Sequence, residues 1–403
     1  MTLKNNFSKQ LIVFFSVTAF FIHHSSTLAG EWSGNISAEI KAFKHKPLQE
    51  SQYQYYSSLA FEPKYQATWD NGQQIFDFEI FSRLNAQDSD RNSVDIRELS
   101  WIYAQEKWEF RFGIRKVFWG VTESQHLVDI INQSDFAERF DSEAKLGQPM
   151  INFAWIKNWG TTDFFILPYF RERKFPSDEA RLNFPLSVAT DSVQYEASGE
   201  EKHIDTAIRW SHYIGDWDMG LSHFYGTSRE PRFRPQLIDG TQQLVPIYDL
   251  INQTGIDIQA TLENWLWKFE GIYRSGMDKD FFATVAGLEY SFFDIAASGT
   301  DIGIVVEYLY NDKENASTTP FQNDTMVGIR LAFNDEQSTD ALIGAIIDND
   351  GNGIILSLEA NRRIASNWKI SIDASLFTQT NNKDAIDIYA REDYIQVELG
   401  YYY

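Results

Sequence analysis

The sequence predicts an all-β fold, a transmembrane antiparallel up-and-down β-barrel of about 18 strands, with about 16 as the alternative. Three observations lead to this expectation. Many segments of the chain alternate apolar and polar side chains, the connections between them alternate between short and long, and the C-terminal residues form one more alternating segment. Successive side chains of a strand point to opposite faces, so repeated alternation gives a sheet with one apolar and one polar face.

The N-terminal segment, residues 1–29, has the composition of a secretory signal peptide. Lys4 and Lys9 precede an apolar run from Leu11 to Ile22, and small and polar residues lead to Ala29. A membrane-spanning helix needs roughly 20 apolar residues, whereas this run has about a dozen. We therefore predict cleavage after Ala29 and a mature barrel domain of residues 30–403.

The composition narrows the class of the mature chain. No other stretch is long enough for a spanning helix, so a mature chain integral to a membrane must close into a barrel. The absence of cysteine excludes a disulfide framework and thiolate metal sites. The formal charge of −22, which becomes −24 without Lys4 and Lys9, argues against nucleic acid as a partner. Aromatic residues at 15% suit girdles at two membrane interfaces.

Period-two alternation is clearest in seven segments, each with apolar residues on one parity and charges on the other. These segments are residues 76–83, 108–115, 204–210, 265–270, 302–308, 327–333 and 368–376. In a barrel the charged parity faces the lumen. The candidate lumen-lining residues are Asp77, Glu79, Arg83, Glu109, Arg111, Arg115, Asp205, Arg209, Glu270, Glu307, Arg330 and Asp373.

The connections between segments supply a second criterion, because periplasmic turns of such barrels are short and extracellular loops are long. The short connections fall at 70–72, 105–107, 158–160, 215–216, 263–264, 334–339 and 365–367. The long ones fall at 44–52, 86–93, 116–149, 171–201, 226–245, 311–323 and 380–392. With both termini in the periplasm, this alternation requires an even number of strands.

The C-terminal segment alternates to the last residue. Ile395, Val397, Leu399, Tyr401 and Tyr403 share one face, opposite to two polar side chains and a glycine. This segment resembles the C-terminal assembly signal of bacterial outer-membrane β-barrels. The resemblance implies the outer membrane of a Gram-negative bacterium, contact with its lipids and lipopolysaccharide, and recognition of the C-terminal strand by the barrel assembly machinery.

The long connection 116–149 departs from the strand pattern. Between Ser124 and Phe140 the apolar residues recur at helical spacing, which predicts a short helical segment in this extracellular loop. The loop either folds into the lumen as a constriction or plug, or caps the mouth; both alternatives stay open. Its charged candidates are Glu123, His126, Asp129, Asp135 and Arg139.

Three short motifs in this loop carry a second resemblance. Trp119-Gly120, Val128–Asp135 and Leu146–Met150 are similar to a pattern in a large, mostly uncharacterised group of proteobacterial outer-membrane barrel proteins. The match departs at Gln133-Ser134, where that group usually has Asn-Pro before the aspartate. The resemblance supports the barrel and implies no substrate.

Residues 348–359 fit the template of a calcium-binding EF-hand loop, with Asp348 and Asp350 as the first oxygen ligands. An EF-hand needs flanking helices, however, and the residues from Ile354 onward alternate as a strand. A strand would carry Glu359 roughly 20 Å from the turn. We therefore favour a hairpin, keep Asp348 and Asp350 as a weak calcium candidate, and expect no cofactor.

The function that fits these features is porin-like diffusion of small hydrophilic solutes across the outer membrane. Arg83, Arg111 and Arg115 suggest a path for anionic or sugar-like solutes. No catalytic motif occurs, so no enzyme activity is expected. The alternatives are a barrel that is not a channel (a hydrolase, receptor or assembly partner) and a soluble secreted β-sandwich that binds carbohydrate. The sequence leaves the solute and the oligomeric state open.

Overall fold

The computed structural model describes residues 30–313, 321–351, 353–379 and 385–403. The predicted signal peptide, residues 1–29, lies outside the described residues, as do parts of the predicted loops 311–323 and 380–392. Within the described ranges, no helix has both the length and the hydropathy of a membrane span.

Eighteen antiparallel strands form one closed sheet, in which β1 pairs with both β2 and β21. The barrel strands are β1 (Gly30–Phe43), β2 (Tyr55–Trp69), β3 (Gln74–Asn85), β4 (Ser93–Gln105), β5 (Trp108–Arg115), β6 (Gln148–Lys157), β7 (Gly160–Leu167), β9 (Asp205–Ile214), β10 (Trp217–Thr227), β13 (Leu250–Leu262), β14 (Trp265–Ser275), β15 (Phe281–Phe292), β16 (Asp301–Asn311), β17 (Asn323–Ala332), β18 (Asp340–Asp348), β19 (Ile354–Ala365), β20 (Trp368–Thr378) and β21 (Tyr394–Tyr402). The predicted fold class and the count of 18 strands are confirmed. A soluble two-sheet sandwich is wrong, because a single sheet closes on itself.

Three further strands form a small separate sheet: β8 (Gln194–Tyr195), β11 (Arg232–Ile238) and β12 (Thr241–Tyr248). β11 and β12 make a hairpin that starts within the predicted loop 226–245 and extends past its end to Tyr248. Asp239 and Gly240 form its turn with φ of 50° and 80°, the positive values that a two-residue Asp-Gly turn requires. Short 3-10 helices occur at Thr190–Ser192, Glu200–Lys202, Ile295–Ala297 and Ala385–Tyr389.

The barrel has a turn end and a loop end. The turn-end connections are 70–73, 106–107, 158–159, 215–216, 263–264, 293–300, 333–339 and 366–367. The loop-end connections are 44–54, 86–92, 116–147, 168–204, 228–249, 276–280, 312–322, 349–353 and 379–393. The loop-end connections are mostly the longer ones, but the alternation is not strict: 276–280 and 349–353 at the loop end have five residues each, whereas 293–300 and 333–339 at the turn end have eight and seven.

The outer face of the barrel is apolar. Leu221, Ile256 and Ile304 are 50%, 38% and 43% exposed although they are large and apolar. Aromatic side chains gather near the turn end, where Trp265 lies 4.6 Å from Tyr290 between ring centroids. An apolar band with aromatic residues at its edge is typical of a barrel surface that contacts lipid.

Candidate functional site

The connection from β5 to β6, residues 116–147 and here called the inner segment, lies inside the barrel. Val128 and Ile131 are fully buried in a cluster of apolar side chains that point inward from the wall. That cluster spans β6 to β17 and includes Met150, Phe165, Leu167, Ala207, Phe224, Ile251, Ile272, Phe281, Val285, Val305, Leu309 and Met326. The inner segment therefore fills the lumen along this side of the wall.

The predicted helix between Ser124 and Phe140 is wrong: the inner segment runs through turns and isolated bridges without helical residues. The apolar side chains whose spacing suggested a helix, Leu127, Ile130 and Ile131, instead contact the wall. Carboxylates of the wall accept hydrogen bonds from backbone N–H groups of the segment, most of them at its start, before the predicted helix. Two glutamates, Glu270 and Glu307, provide them.

Glu270 on β14 is fully buried and accepts hydrogen bonds from the inner segment through both oxygens. Its Oε1 lies 2.7 Å from the Val121 nitrogen, 3.0 Å from the Thr122 nitrogen and 2.7 Å from the Thr122 hydroxyl. Its Oε2 lies 3.1 Å from the Val128 nitrogen. A buried carboxylate needs such donors to offset its lost hydration.

Glu307 on β16, also fully buried, makes the same type of contact with the next two residues of the segment. It accepts hydrogen bonds from the nitrogens of Glu123 and Ser124, both at 2.8 Å, and from the Ser124 hydroxyl at 2.6 Å. Glu270 and Glu307 thus fix residues 121–124 by their backbone.

Gly120 allows this close approach. Its φ of 142° is in a region that other residues rarely adopt, and a Cβ there would lie 3.0 Å from Glu270 Oε1 and 3.0 Å from His126 Nδ1. The adjacent Trp119 is buried, with the Arg209 guanidinium 5.2 Å from its ring centroid. The Trp119-Gly120 motif therefore places the start of the inner segment against the wall.

His126 lies between two carboxylates, with Nε2 3.5 Å from Glu143 Oε1 and Nδ1 3.9 Å from Glu270 Oε1. Burial opposes its charge, but the two carboxylates outweigh burial and raise the pKa of His126 to about 10. Asp129 accepts a hydrogen bond from the Trp119 nitrogen at 3.4 Å and pairs with Lys145 at 3.0 Å. Burial nevertheless raises the pKa of Asp129.

Glu123 connects the inner segment to cations on the opposing strands. Its carboxylate lies 2.6 Å from Arg330 on β17 and 3.5 Å from Lys268 on β14. Arg330 also pairs with Glu289 at 3.4 Å. This network lies where the segment crosses the lumen, so its charges border any space left for solute.

A second network holds the other half of the inner segment near the loop end. Glu39 on β1 pairs with Arg91 at 2.5 Å and with Arg83 at 3.3 Å. Arg83 also lies 2.6 Å from Glu138 of the inner segment. Similarly, Asp135 pairs with Arg97 at 3.0 Å.

Most of the other lumen-lining candidates contact charged or polar groups. Arg209 makes two 2.7 Å hydrogen bonds with Asp257, and Arg111 pairs with Glu109 and Asp163. The remaining contacts are Asp205 with Arg229, Glu79 with Lys64 and Lys116, and Asp77 with Gln66. Asp373 lies near Arg139, which pairs with Asp141 and Glu359. Arg115 has no ion pair among the described residues.

Sequence reasoning missed the partners of these residues. Glu39, Arg91, Arg97, Asp163 and Asp257 complete the ion pairs, yet they lie far along the chain from the groups they neutralise. The sequence partly indicates that Glu39 faces the lumen, because Glu39 lies on the parity opposite to the exposed apolar Ile36 and Ile40. Which acidic and basic side chains pair depends on the order of the strands around the barrel.

The calcium candidates belong to the hairpin of β18 and β19. The Asp348 carboxylate accepts hydrogen bonds from the nitrogens of Asp350 at 2.8 Å and Gly351 at 2.9 Å, which closes the turn. Glu359 lies in β19, 3.6 Å from Arg139. No group of three His, Cys, Asp or Glu side chains suited to a metal ion occurs in the described parts of the chain.

The inner segment does not fill the lumen completely. Several charged side chains point inward from the wall and still have exposed side-chain surface: Lys64 at 44%, Arg330 at 38% and Glu359 at 55%. The structure combines a closed barrel, an even strand count and a long loop that folds into the barrel. The architecture is that of a porin-like barrel.

Solved structures of other barrels are similar to this chain, but at a low level. A mutant of the porin of Rh. blastica has a TM-score of 0.45 and 11% identity, covering 93% of this chain and 100% of that chain. OmpT, an outer membrane protein of Vibrio cholerae, has a TM-score of 0.46 and 11% identity, covering 93% and 99%. No family model and no curated protein matches the sequence. Similarities this low support no conclusion about function.

Proposed function

We propose that this porin-like barrel is a non-enzymatic outer-membrane channel through which small hydrophilic solutes diffuse. In this proposal the solutes pass between the inner segment and the wall that the segment leaves uncovered. The chain would reach the outer membrane of a Gram-negative bacterium after cleavage of residues 1–29. There its apolar outer face would contact lipid and its loop end lipopolysaccharide.

The observation that carries the proposal is the exposure of charged side chains inside the barrel. A charge that points into a filled barrel would be buried among its partners, because the space around it would hold no water. Lys64, Arg330 and Glu359 are instead between 38% and 55% exposed on the inward face. Water inside the barrel explains this exposure.

The passage would carry charges of both signs. Arg83, expected from the sequence to favour anions, is 5% exposed and paired with Glu39 and Glu138. Arg111 is paired with Glu109 and Asp163. Arg115 remains as a positive charge without an ion pair among the described residues. Mixed and largely compensated walls support weak ion selectivity rather than a strong anion filter.

Planar-bilayer recording of the refolded mature chain tests the proposal. Folding is checked first by the shift in gel mobility on heating, and discrete conductance steps in symmetric potassium chloride are expected. Folded protein that inserts into the bilayer but produces no steps would overturn the channel and favour a barrel with another role.

A further inference from the structure

One connection at the turn end, residues 293–300 and here called the apolar turn, differs in composition from its neighbours. Its sequence is Phe-Asp-Ile-Ala-Ala-Ser-Gly-Thr, in which Asp294 is the one charged residue. Other connections at the same end consist of polar residues and glycine, as at 70–73, 106–107, 215–216 and 263–264. Two residues suffice to reverse the chain in a hairpin, whereas the apolar turn has eight. Its length and composition therefore need another explanation.

The apolar side chains of this turn are exposed. Phe293 is 61% exposed and Ile295 is 37% exposed. The two residues that follow, Ala296 and Ala297, are exposed as well. Isolated exposed apolar residues are common on protein surfaces, whereas a consecutive group of them usually marks a contact surface. The turn therefore presents an apolar surface to its surroundings at the end of the barrel.

The backbone of the apolar turn makes most of its hydrogen bonds internally. The nitrogens of residue 295 and of residues 297–300 all donate to acceptors within the turn. One of these acceptors is the Asp294 carboxylate, which lies 2.8 Å from the Gly299 nitrogen, so the one charged group is itself engaged. Backbone groups of an ordinary exposed loop can bond water, whereas groups near lipid need partners within the protein. This pattern suits a turn that leaves bulk water.

The apolar turn continues the aromatic edge of the outer face. Tyr290 and Phe292 lie on the outward parity of β15, with ring centroids 4.7 Å apart, and Trp265 lies 4.6 Å from Tyr290. Phe292 is the last residue of β15 and directly precedes Phe293. On the other side of the turn, Phe333 follows β17 on the outward parity and is 41% exposed. The exposed surface of the turn is therefore continuous with the face that we assign to lipid.

The position of the turn along the barrel also fits the headgroup layer of a membrane. Tryptophan and tyrosine mark the boundary between hydrocarbon and headgroups, and here Trp265 pairs with Tyr290. Strand β15 continues two residues past this pair, which is about 7 Å along the strand and less along the membrane normal when the strand is tilted. The headgroup layer on each side of the hydrocarbon core is about 5–8 Å thick. A turn that starts at Phe293 therefore starts within this layer.

We propose that the apolar turn is a lipid anchor, in which Phe293 and Ile295 insert into the headgroup layer of the leaflet at the turn end. The proposal rests on the barrel spanning a bilayer and is independent of conduction. Apolar and aromatic side chains in this layer resist movement into water or into the hydrocarbon core. The anchor would therefore fix the depth and tilt of the barrel on the side of β15 and β16.

Spin labelling tests the anchor directly, because the chain has no cysteine and an introduced one is unique. The full mature chain with Ile295→Cys carries a nitroxide label and is refolded into vesicles of phosphatidylethanolamine and phosphatidylglycerol. The control is Gln73→Cys, an exposed position in the polar turn 70–73 at the same end. Collisions of the label with oxygen, which concentrates in lipid, are compared with collisions with a water-soluble nickel chelate. The ratio of oxygen to nickel collisions should be several-fold higher at Ile295 than at Gln73, and equal ratios would overturn the anchor.

A charge placed in the turn separates insertion of the turn from the affinity of the label for lipid. Phe293→Asp should lower the collision ratio of the label at Ile295 to that at Gln73, because an ionised carboxylate is costly to remove from water. Leu237→Asp makes the same kind of change at an exposed leucine of the hairpin of β11 and β12 and should leave the ratio unchanged. Heat-modifiable mobility identifies the variants that fold, and Phe293→Cys is the second labelling site if Ile295→Cys does not. A ratio that stays high in folded Phe293→Asp would show that the label alone seeks lipid and would reject the anchor.

Dilution and bilayer recording distinguish the remaining outcomes. If the turn instead met a second copy of the chain, the spectrum of the label would be broadened and dilution with unlabelled chain would sharpen it; this result would overturn the lipid anchor. A spectrum that dilution leaves unchanged, together with the high oxygen ratio, supports it. A lipid-like label in a chain without conductance would retain the anchor and reject the channel, whereas conductance with a label in water would do the reverse.

Discussion

Glu270 of the barrel wall accepts two hydrogen bonds from Thr122 of the inner segment, one from its nitrogen at 3.0 Å and one from its hydroxyl at 2.7 Å. Each partner is buried, and the two residues are far apart in sequence. The wall carboxylate thus satisfies backbone N–H groups that the segment does not pair within itself. The path of the inner segment is therefore set by the wall.

The Glu270→Gln variant should loosen the inner segment without opening the barrel. Glutamine keeps one acceptor oxygen but places an NH2 group near another donor and removes the charge. Hydrogen exchange at Val121, Thr122 and Val128 should accelerate about tenfold or more, as expected for loss of bonds to a charged group. Mass spectrometry of exchanged peptides measures this.

Glu109→Gln is the matched control, because Glu109 also points inward but pairs with Arg111 rather than with the inner segment. Hydrogen exchange of residues 116–131 in the Glu109→Gln variant should equal that in the unchanged chain. Equal exchange in Glu270→Gln and Glu109→Gln would mean that the apolar cluster alone holds the segment.

The conformational stability of the inner segment should depend on pH through the protonation of His126. The pKa of His126 is raised from 6.5 to about 10 in the folded chain, chiefly by Glu143 and Glu270 acting against burial. A group with a raised folded pKa contributes stability that is complete below its unfolded pKa and is lost as pH rises through the folded value. Between about pH 6.5 and 10, the segment should thus loosen progressively.

Hydrogen exchange of residues 121–131, corrected for the intrinsic effect of pH, measures this change. His126→Gln should remove the dependence, because no ionisable group remains between Glu143 and Glu270. His212→Gln, on the outward parity of β9, should preserve it. A pH profile that is the same in all three chains would contradict this role of His126.

Much of the barrel could be predicted from the sequence, because alternation within a strand is a local property. Trp265 and Trp267 share one parity and Lys268 and Glu270 the other, and the structure separates them into outer and inner faces. Closure was expected because a sheet in lipid has to satisfy all of its backbone groups internally. Strand β11 was missed because Pro235 and two arginines obscure its alternation.

The path and contacts of the inner segment could not be predicted, because its partners are distant in sequence; the sequence left folding into the lumen and capping the mouth as open alternatives. Leu127, Ile130 and Ile131 have the i, i+3, i+4 spacing of a helix, yet their environment is an apolar wall built from strands β6 to β17. No residue near Thr122 indicates that Glu270 will accept its N–H group. For the same reason the parity of Arg83 was visible, but its neutralisation by Glu39 and Glu138 was not.

Ion selectivity should respond to the pair of Glu123 and Arg330, which are 2.6 Å apart where the segment crosses the lumen. Glu123→Gln leaves Arg330 and Lys268 without this partner, so the reversal potential in a salt gradient should shift toward anions. Arg330→Gln should shift it toward cations, and the double variant should lie near the unchanged chain. Glu106→Gln, in a turn outside the lumen, should not shift it.

Barrel closure should depend on the aromatic ring at the last residue. The Tyr403 nitrogen donates to the Gly34 carbonyl at 3.2 Å, and the Tyr402 nitrogen donates to the Asn367 carbonyl at 2.8 Å. A Cβ on Gly34 would lie 2.8 Å from the Tyr403 hydroxyl, so this ring covers β1 closely. We expect the assembly machinery to recognise the same end of β21.

Tyr403→Phe should therefore assemble normally, because it keeps the ring and all backbone bonds. Deletion of Tyr401–Tyr403 removes the end of the seam between β21 and β1 and should reduce the folded fraction in the outer membrane several-fold. Heat-modifiable mobility in membrane fractions measures both. Normal assembly of the deleted chain would show that pairing from Ser37 inward suffices to close the sheet and that recognition lies elsewhere.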